Sequence, residues 1–175
     1  GRFPEPLPLR VLFTAYPNIV HLLSLQGSGI RSVSDLAGKR VALGAQGSGT
    51  SVAALNMLNG LGLSVDDIAP RYLSFGETTS GLKDGTLDAG FVVGGLGIAA
   101  VTELAVTRDI EIIALSDAEI ASLTAQFPAY SAYEIPGDTY AGVSESRQAL
   151  GIWSAVGVHD SVPETSAFAL PSAGC

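Results

Sequence analysis

The segment Arg40-Val-Ala-Leu-Gly-Ala-Gln-Gly-Ser-Gly-Thr-Ser-Val-Ala-Ala54 carries the densest chemical signal in the chain. An apolar, β-prone run leads into three closely spaced glycines, and small or apolar residues follow. Glycine lets the backbone turn tightly and approach a ligand with no side chain in the way. Where a helix opens after such a loop, its first N–H groups have no intrahelical partner, and the helix dipole adds partial positive charge. That combination suits a carboxylate or a phosphate. Gln46, Gly47, Ser48, Gly49, Thr50 and Ser51 are therefore the candidate binding residues, with Ser48, Thr50 and Ser51 as hydroxyl donors.

Two nucleotide motifs are approached and missed. Gly44 and Gly49-Thr50-Ser51 have P-loop spacing, but Thr50 stands where the phosphate-binding lysine belongs. Gly47-x-Gly49 is followed by Val52 where the dinucleotide pattern needs a glycine. No nucleophile sits beside a base. His21 falls in an apolar strand and reads as a satisfied core or edge residue, and His159-Asp160 reads as a loop pair. Cys175 is the last residue, with nothing near it to activate a thiolate. Asp66, Asp67 and Glu77 lack a second cluster at calcium or zinc spacing. These residues describe a binder that uses no cofactor and no metal. A phosphate- or nucleotide-binding enzyme built on the same loop is the alternative, and a plain βα turn also accounts for the glycines.

The elements that must carry this loop follow from periodicity and turn chemistry. Strands are expected at 9–15 and 19–25, parted by a turn at Tyr16-Pro17-Asn18. A helical turn at 32–36 and a strand at 40–43 come next. Val52, Ala53, Leu55, Met57 and Leu58 give a helix that stops near Gly60 or Gly62. Ser64-Val-Asp-Asp67 and Ser116-Asp-Ala-Glu119 are capping patterns, the second opening a helix to about Phe127. Between them come strands at 71–75, 87–93 and 110–115 and helices at 77–83 and 98–105. Pro136-Gly137-Asp138 marks a turn, 149–158 a strand, and Pro163 a helix start. Strand and helix alternate from 39 to 127, the pattern of an α/β domain with a mainly parallel sheet.

Composition limits the partners. The chain has 175 residues, with 9 Lys and Arg against 17 Asp and Glu and a net charge of −8. It offers no basic patch to nucleic acid or to an anionic membrane surface. With 47% hydrophobic and 15% charged residues it is not a disordered chain. The acid excess from Glu103 onward reads as a solvated face. Mean hydropathy is high at +0.37, yet the cleanest apolar run, 89–101, is broken by glycines and falls short of the roughly 20 residues a spanning helix needs. No direct membrane insertion is expected.

Several motifs in order point to a family. Ser32-Val-Ser-Asp-Leu-Ala-Gly-Lys-Arg-Val-Ala-Leu-Gly44 resembles the S-x-x-D-L-x-G-K-x-V-x-x-G stretch that opens the second lobe of periplasmic-binding-protein-like receptors. Gly47-Ser-Gly-Thr50, Tyr72-Leu-Ser-Phe-Gly-Glu77, Leu82-Lys-Asp-Gly85, Leu87-Asp-Ala-Gly-Phe-Val-Val93 and Ile135-Pro-Gly-Asp-Thr-Tyr140 resemble the TAXI group. These are the solute-binding subunits of tripartite ATP-independent periplasmic (TRAP) transporters. Tyr16-Pro17 and His21 match that group as well.

The resemblance implies a type II periplasmic-binding-protein-like α/β fold, with one complete lobe whose sheet is mainly parallel and part of the other. Residues 1–29 would form crossover strands and part of the first lobe, 30–148 the ligand-binding lobe, and 149–175 a return strand with a first-lobe remnant. Such receptors are longer and carry an N-terminal glycine- and tyrosine-rich ligand motif, so a partial chain is expected. The implied ligand is a small organic anion, a carboxylate or an amino acid, released to a TRAP-type permease in a periplasmic or extracytoplasmic space. A receptor-like sensor or effector domain is a further alternative.

Ser74, Phe75 and Glu77 would face the cleft beside the glycine loop. Phe75 would pack on an aliphatic stem. Glu77 either meets a ligand ammonium or complements its own helix dipole. Gly94 and Gly95 would complete the wall. Tyr16 and Tyr140 line the rim or pack, and Arg10 is a carboxylate clamp or a hinge salt-bridge partner.

Overall fold

A computed structural model describes residues 8–162. The chain runs β1 (Leu9–Leu25), β2 (Arg40–Ala42), α1 (Gly49–Gly60), β3 (Ala69–Arg71), α2 (Phe75–Lys83), β4 (Ala89–Gly94), α3 (Ala99–Thr107), β5 (Ile110–Ile112), α4 (Asp117–Gln126), β6 (Tyr130–Ile135) and β7 (Arg147–His159). Short 3₁₀ turns at Val33–Leu36 and Val65–Asp67 lead into β2 and β3. The strand order is β3-β2-β4-β1-β7-β6, with β5 also paired to β1. β2 is parallel to β3 and to β4, whereas β1 runs against β4 and β5. Strands β2 to β5 therefore share one direction. Each is followed by a helix or joined through one, so all four helices start from the same edge of the sheet.

The chain divides into two compact units, one being Pro17–Ile152. In this larger unit strand alternation sends neighbours to opposite faces. Val20, Leu22, Val41, Leu43 and Phe91 meet Ala53, Ala54, Met57 and Leu58 of α1 and Ile120 and Leu123 of α4. Ile19, Leu23, Ala42 and Val92 meet Leu82 of α2 and Val101, Leu104 and Ala105 of α3. Phe91 is fully buried, and truncating such a ring to alanine costs about 3–5 kcal/mol. Close approach of α2 to the sheet depends on Gly90. A Cβ there would collide with the Thr78 methyl and lie 3.3 Å from the Ala42 Cβ.

The smaller unit contains residues 8–16 and 153–162 of the described chain. The Asp160 amide donates to the Pro8 carbonyl at 2.9 Å. Arg10 pairs with Asp160 at 3.3 Å and donates to the carbonyls of Asp160 and Val162. Of the two roles open for Arg10, the salt bridge is the one formed. His159 meets the Ser161 hydroxyl at 2.7 Å.

Three expectations change. Tyr16-Pro17-Asn18 makes no turn, because β1 is continuous from Leu9 to Leu25. Proline's fixed φ suits extended backbone, and pairing with β4 starts only at Ile19, so that ladder needs no donor from Pro17. The strand expected at 71–75 stops at Arg71, since Ser74 caps α2 and Phe75 becomes its first residue. β6 had no strand signal, because Ser131 and Glu134 dilute its apolar pattern and its only registered partner is β7. The helix start at Pro163 lies outside the described residues. Among the described residues no helix is long and apolar enough to cross a membrane.

One ion pair locks β2 to β4 at the edge away from the helix starts. Arg40 donates to Asp88 from Nε at 3.0 Å, from Nη2 at 2.7 Å and from its amide at 2.8 Å. These bonds, led by the guanidinium, hold the Asp88 carboxyl at about 2, against an ordinary 3.8. A depressed carboxyl contributes stability that is complete above its unfolded value and is lost as pH falls through the folded one. The urea midpoint should therefore drop between pH 4 and pH 2, and Asp88→Asn should flatten that drop while lowering the midpoint at neutral pH.

Candidate functional site

The glycine-rich segment forms the β2–α1 junction, as its residue types require. Gly44 lies at φ +83, and a Cβ there would be 2.5 Å from the Thr50 methyl. The turn and the first helical turn thus interlock through the smallest possible residue. Ser48 is the N-cap, its hydroxyl accepting the Ser51 amide at 3.1 Å. The Ser51 hydroxyl donates back to the Ser48 carbonyl at 3.1 Å. Among the described residues nothing accepts the amides of Gly49 and Thr50. Gln46, Gly47 and Gly49 are exposed, whereas Thr50 and Ser51 are buried.

The Ser51 hydroxyl is spent on its own helix. The Thr50 methyl lies toward Gly44, and the Ser48 hydroxyl accepts an amide while keeping its own proton, so the hydroxyls of Ser48 and Thr50 stand as donors beside the main-chain amides. No acid lies in the first turn of α1. No acid of that turn therefore offsets the helix-end charge.

The neighbouring junctions are built differently. In α2, Ser74 and Glu77 close a capping box. The Glu77 carboxylate accepts the Ser74 hydroxyl at 2.6 Å and its amide at 2.8 Å. Those bonds, the hydroxyl first, hold the Glu77 carboxyl below its ordinary range. The carboxylate thus serves its own helix end. Phe75 is half-buried and packs against the core that includes Leu82 and Val92. In α4, Ser116 and Glu119 make the same box.

α3 starts without a side-chain cap of its own. The Gly97 and Ile98 amides instead donate to the Tyr140 hydroxyl at 3.2 and 3.4 Å. A Cβ at Gly94, at the end of β4, would lie 3.1 Å from the Ile98 side chain. Tyr140 is 2% exposed, so it packs rather than lining a rim.

Behind Tyr140 sits His21, fully buried, with Nε2 3.0 Å from the phenol oxygen and the rings edge to face. Its Nδ1 lies 3.0 Å from the Ile19 carbonyl. A carbonyl only accepts, so Nδ1 carries the proton and Nε2 accepts from the phenol. Burial lowers the imidazole to about 4, leaving it neutral at pH 7. The sequence reading as a satisfied core histidine holds, and its link to Tyr140 had no local signal.

Topology brings 46–51, 74–77 and 94–98 to the carboxyl ends of three adjacent strands, β2, β3 and β4, where open α/β sheets bind ligands. Tyr16 belongs to the smaller unit and is exposed. A separate concavity of about 640 Å³ opens at the opposite edge, around the end of β1. Its Arg147 is held by Glu111 at 3.2 Å and Glu145 at 3.0 Å.

With this geometry in view, the comparisons are specific about family and fold. The model of the NMT1-like family matches residues 2–173. The periplasmic aliphatic sulphonate binding protein SsuA from Escherichia coli superposes with a TM-score of 0.51 at 23% identity, over 61% of this chain and 36% of that one. The periplasmic sulfonate-binding protein SsuA from Methylobacillus flagellatus KT gives 0.52 at 18% identity, over 83% and 36%. The chain thus spans 36% of the length of each of these proteins. At such identities the likeness is one of fold, the periplasmic-binding-protein-like arrangement of helices on a mixed, largely parallel sheet.

The interlock at Gly44 makes a direct prediction. Gly44→Ala combines a left-handed backbone with a contact that must open, and should lower stability by about 2 kcal/mol or more in urea unfolding. Gly49→Ala, with open space around its Cβ position, should stay within about 0.5 kcal/mol of the native chain.

Proposed function

We propose that this chain, which belongs to the NMT1-like family, is the helix-bearing lobe of a solute receptor that holds the anionic head of a small organic acid at the start of α1. The observation that carries the reading is the pair of unclaimed amides at Gly49 and Thr50, in a first turn without an acid. The first turn of α2 repels a second anion through Glu77, and the amides that precede α3 are taken by Tyr140. A carboxylate at α1 would gain charge-assisted main-chain hydrogen bonds. The ligand is a carboxylate or an amino acid, released to a membrane permease from an extracytoplasmic space.

Two finer parts of the reading have narrower support. Membership of the TAXI group, and with it a TRAP-type permease, is supported by the motif order from Ser32 to Tyr140. The division into 1–29, 30–148 and 149–175 follows the same resemblance. The sulfonate-binding proteins that share the fold make methanesulfonate a fitting second probe. With a net charge of −8, the protein repels anions at long range and must hold one by short-range bonds.

Titration of ¹⁵N-labelled protein with L-glutamate, methanesulfonate and inorganic phosphate, at constant ionic strength, tests the site. Amides of residues 47–51 should shift first and saturate with L-glutamate. Uniform silence at those amides with all three probes would refute the anion site, and saturation by phosphate alone would favour the phosphate-binding alternative. Gly49→Val should keep the fold, because nothing lies within 4 Å of its Cβ position, and should weaken L-glutamate binding at least tenfold by placing a branched side chain over the amides.

A further inference from the structure

We infer that Tyr140 and His21 are positioning residues of the anion site, together forming a buried strut that holds the 94–98 loop against β1. The inference rests on the site reading given above. β4 ends at Gly94, Gly95 follows it, and Gly97 lies at φ +71, so the loop has little stiffness of its own. Ile98, the N-cap of α3, has no side chain able to cap. Yet the amides of Gly97 and Ile98 both aim at one oxygen, the Tyr140 hydroxyl. The start of α3 is thus set by a residue from a distant part of the chain.

The direction of that hydroxyl is itself determined. Because His21 Nδ1–H is committed to the Ile19 carbonyl, Nε2 must accept, and the phenol must donate to it. The phenol's lone pairs are then left for the two amides, and every member of the chain is satisfied. The Tyr140 backbone is fixed in turn by a tight loop. Asp138 at φ +63 donates its amide to the Val143 carbonyl at 2.8 Å, and the Val143 amide donates to the Tyr140 carbonyl at 3.1 Å. The strut ends on β1 shortly after Pro17, where that strand enters the larger unit. A tyrosine needed only for volume would not require an oriented oxygen, a dedicated acceptor and a turn built to present it.

Variants of the 175-residue chain separate positioning from packing. Tyr140→Phe keeps the ring, and amide exchange at Gly97 and Ile98 should quicken about tenfold relative to core amides of β4. L-glutamate affinity should fall about fivefold, measured on folded protein. His21→Gln, which retains an acceptor, should preserve both readouts, and His21→Leu should reproduce the Tyr140→Phe pattern. Unchanged exchange at both amides in Tyr140→Phe overturns the strut. Faster exchange with affinity within about twofold of wild type, while Gly49→Val abolishes binding, makes the strut purely structural and overturns the positioning role. If Gly49→Val also binds like wild type, the glycine-loop reading has failed and the positioning role falls with it.

Discussion

The positive end of each helix has to be met by something, and in this protein strands that share one direction gather those ends along a single edge. That constraint organises the larger unit. β2 to β5 run the same way, so α1, α2, α3 and α4 all open on the carboxyl side of the sheet. Left unmet, several helix dipoles and their unpaired amides would face one region together. The chain answers differently at each junction. Glutamates close α2 and α4, a buried phenol takes the amides that precede α3, and α1 has only the Ser48 hydroxyl. Unclaimed first-turn amides are therefore left at α1, where the proposed anion would sit.

On the proposed reading, this arrangement is how an acidic protein would hold an anion. At a net charge of −8 the long-range field is unfavourable, but it is screened over about 8–10 Å at physiological salt. Hydrogen bonds from fixed amides act at contact distance and lose little to screening. The same logic accounts for the acids that are present. Glu77, Glu119, Asp35 and Asp67 all fold back onto the amide of a serine three positions earlier in the chain, which ties their charge to a local donor. Asp88 does so with a guanidinium. Much of the negative charge in the larger unit is structural.

Local chemistry was legible wherever the residues that interact are neighbours in sequence. The Ser64 and Ser116 capping patterns, the glycine stop near Gly60 and the strand–loop–helix at 40–54 read correctly because each is decided within a few residues. The same cap logic applied at Ser74 and Glu77, where a cleft role competed with it, and the box is what forms. Tyr16-Pro17-Asn18 misled because proline is compatible with a turn and with an extended strand, and only the pairing partner chooses between them. β6 was invisible because Tyr130–Ile135 becomes a strand through β7 and not through its own pattern.

The sequence by itself determined the α/β class, the order of most elements and the place of the glycine-rich junction, since propensity, capping and glycine geometry are local properties. Tertiary structure decided which polar groups remain for a ligand. Ser51 looks like a ligand donor in sequence, and its hydroxyl is consumed by the helix cap. Tyr140 and His21 stand 119 positions apart and look unrelated. Packing places one beside the other, and a hydrogen bond between buried groups depends on that placement rather than on anything either neighbourhood encodes.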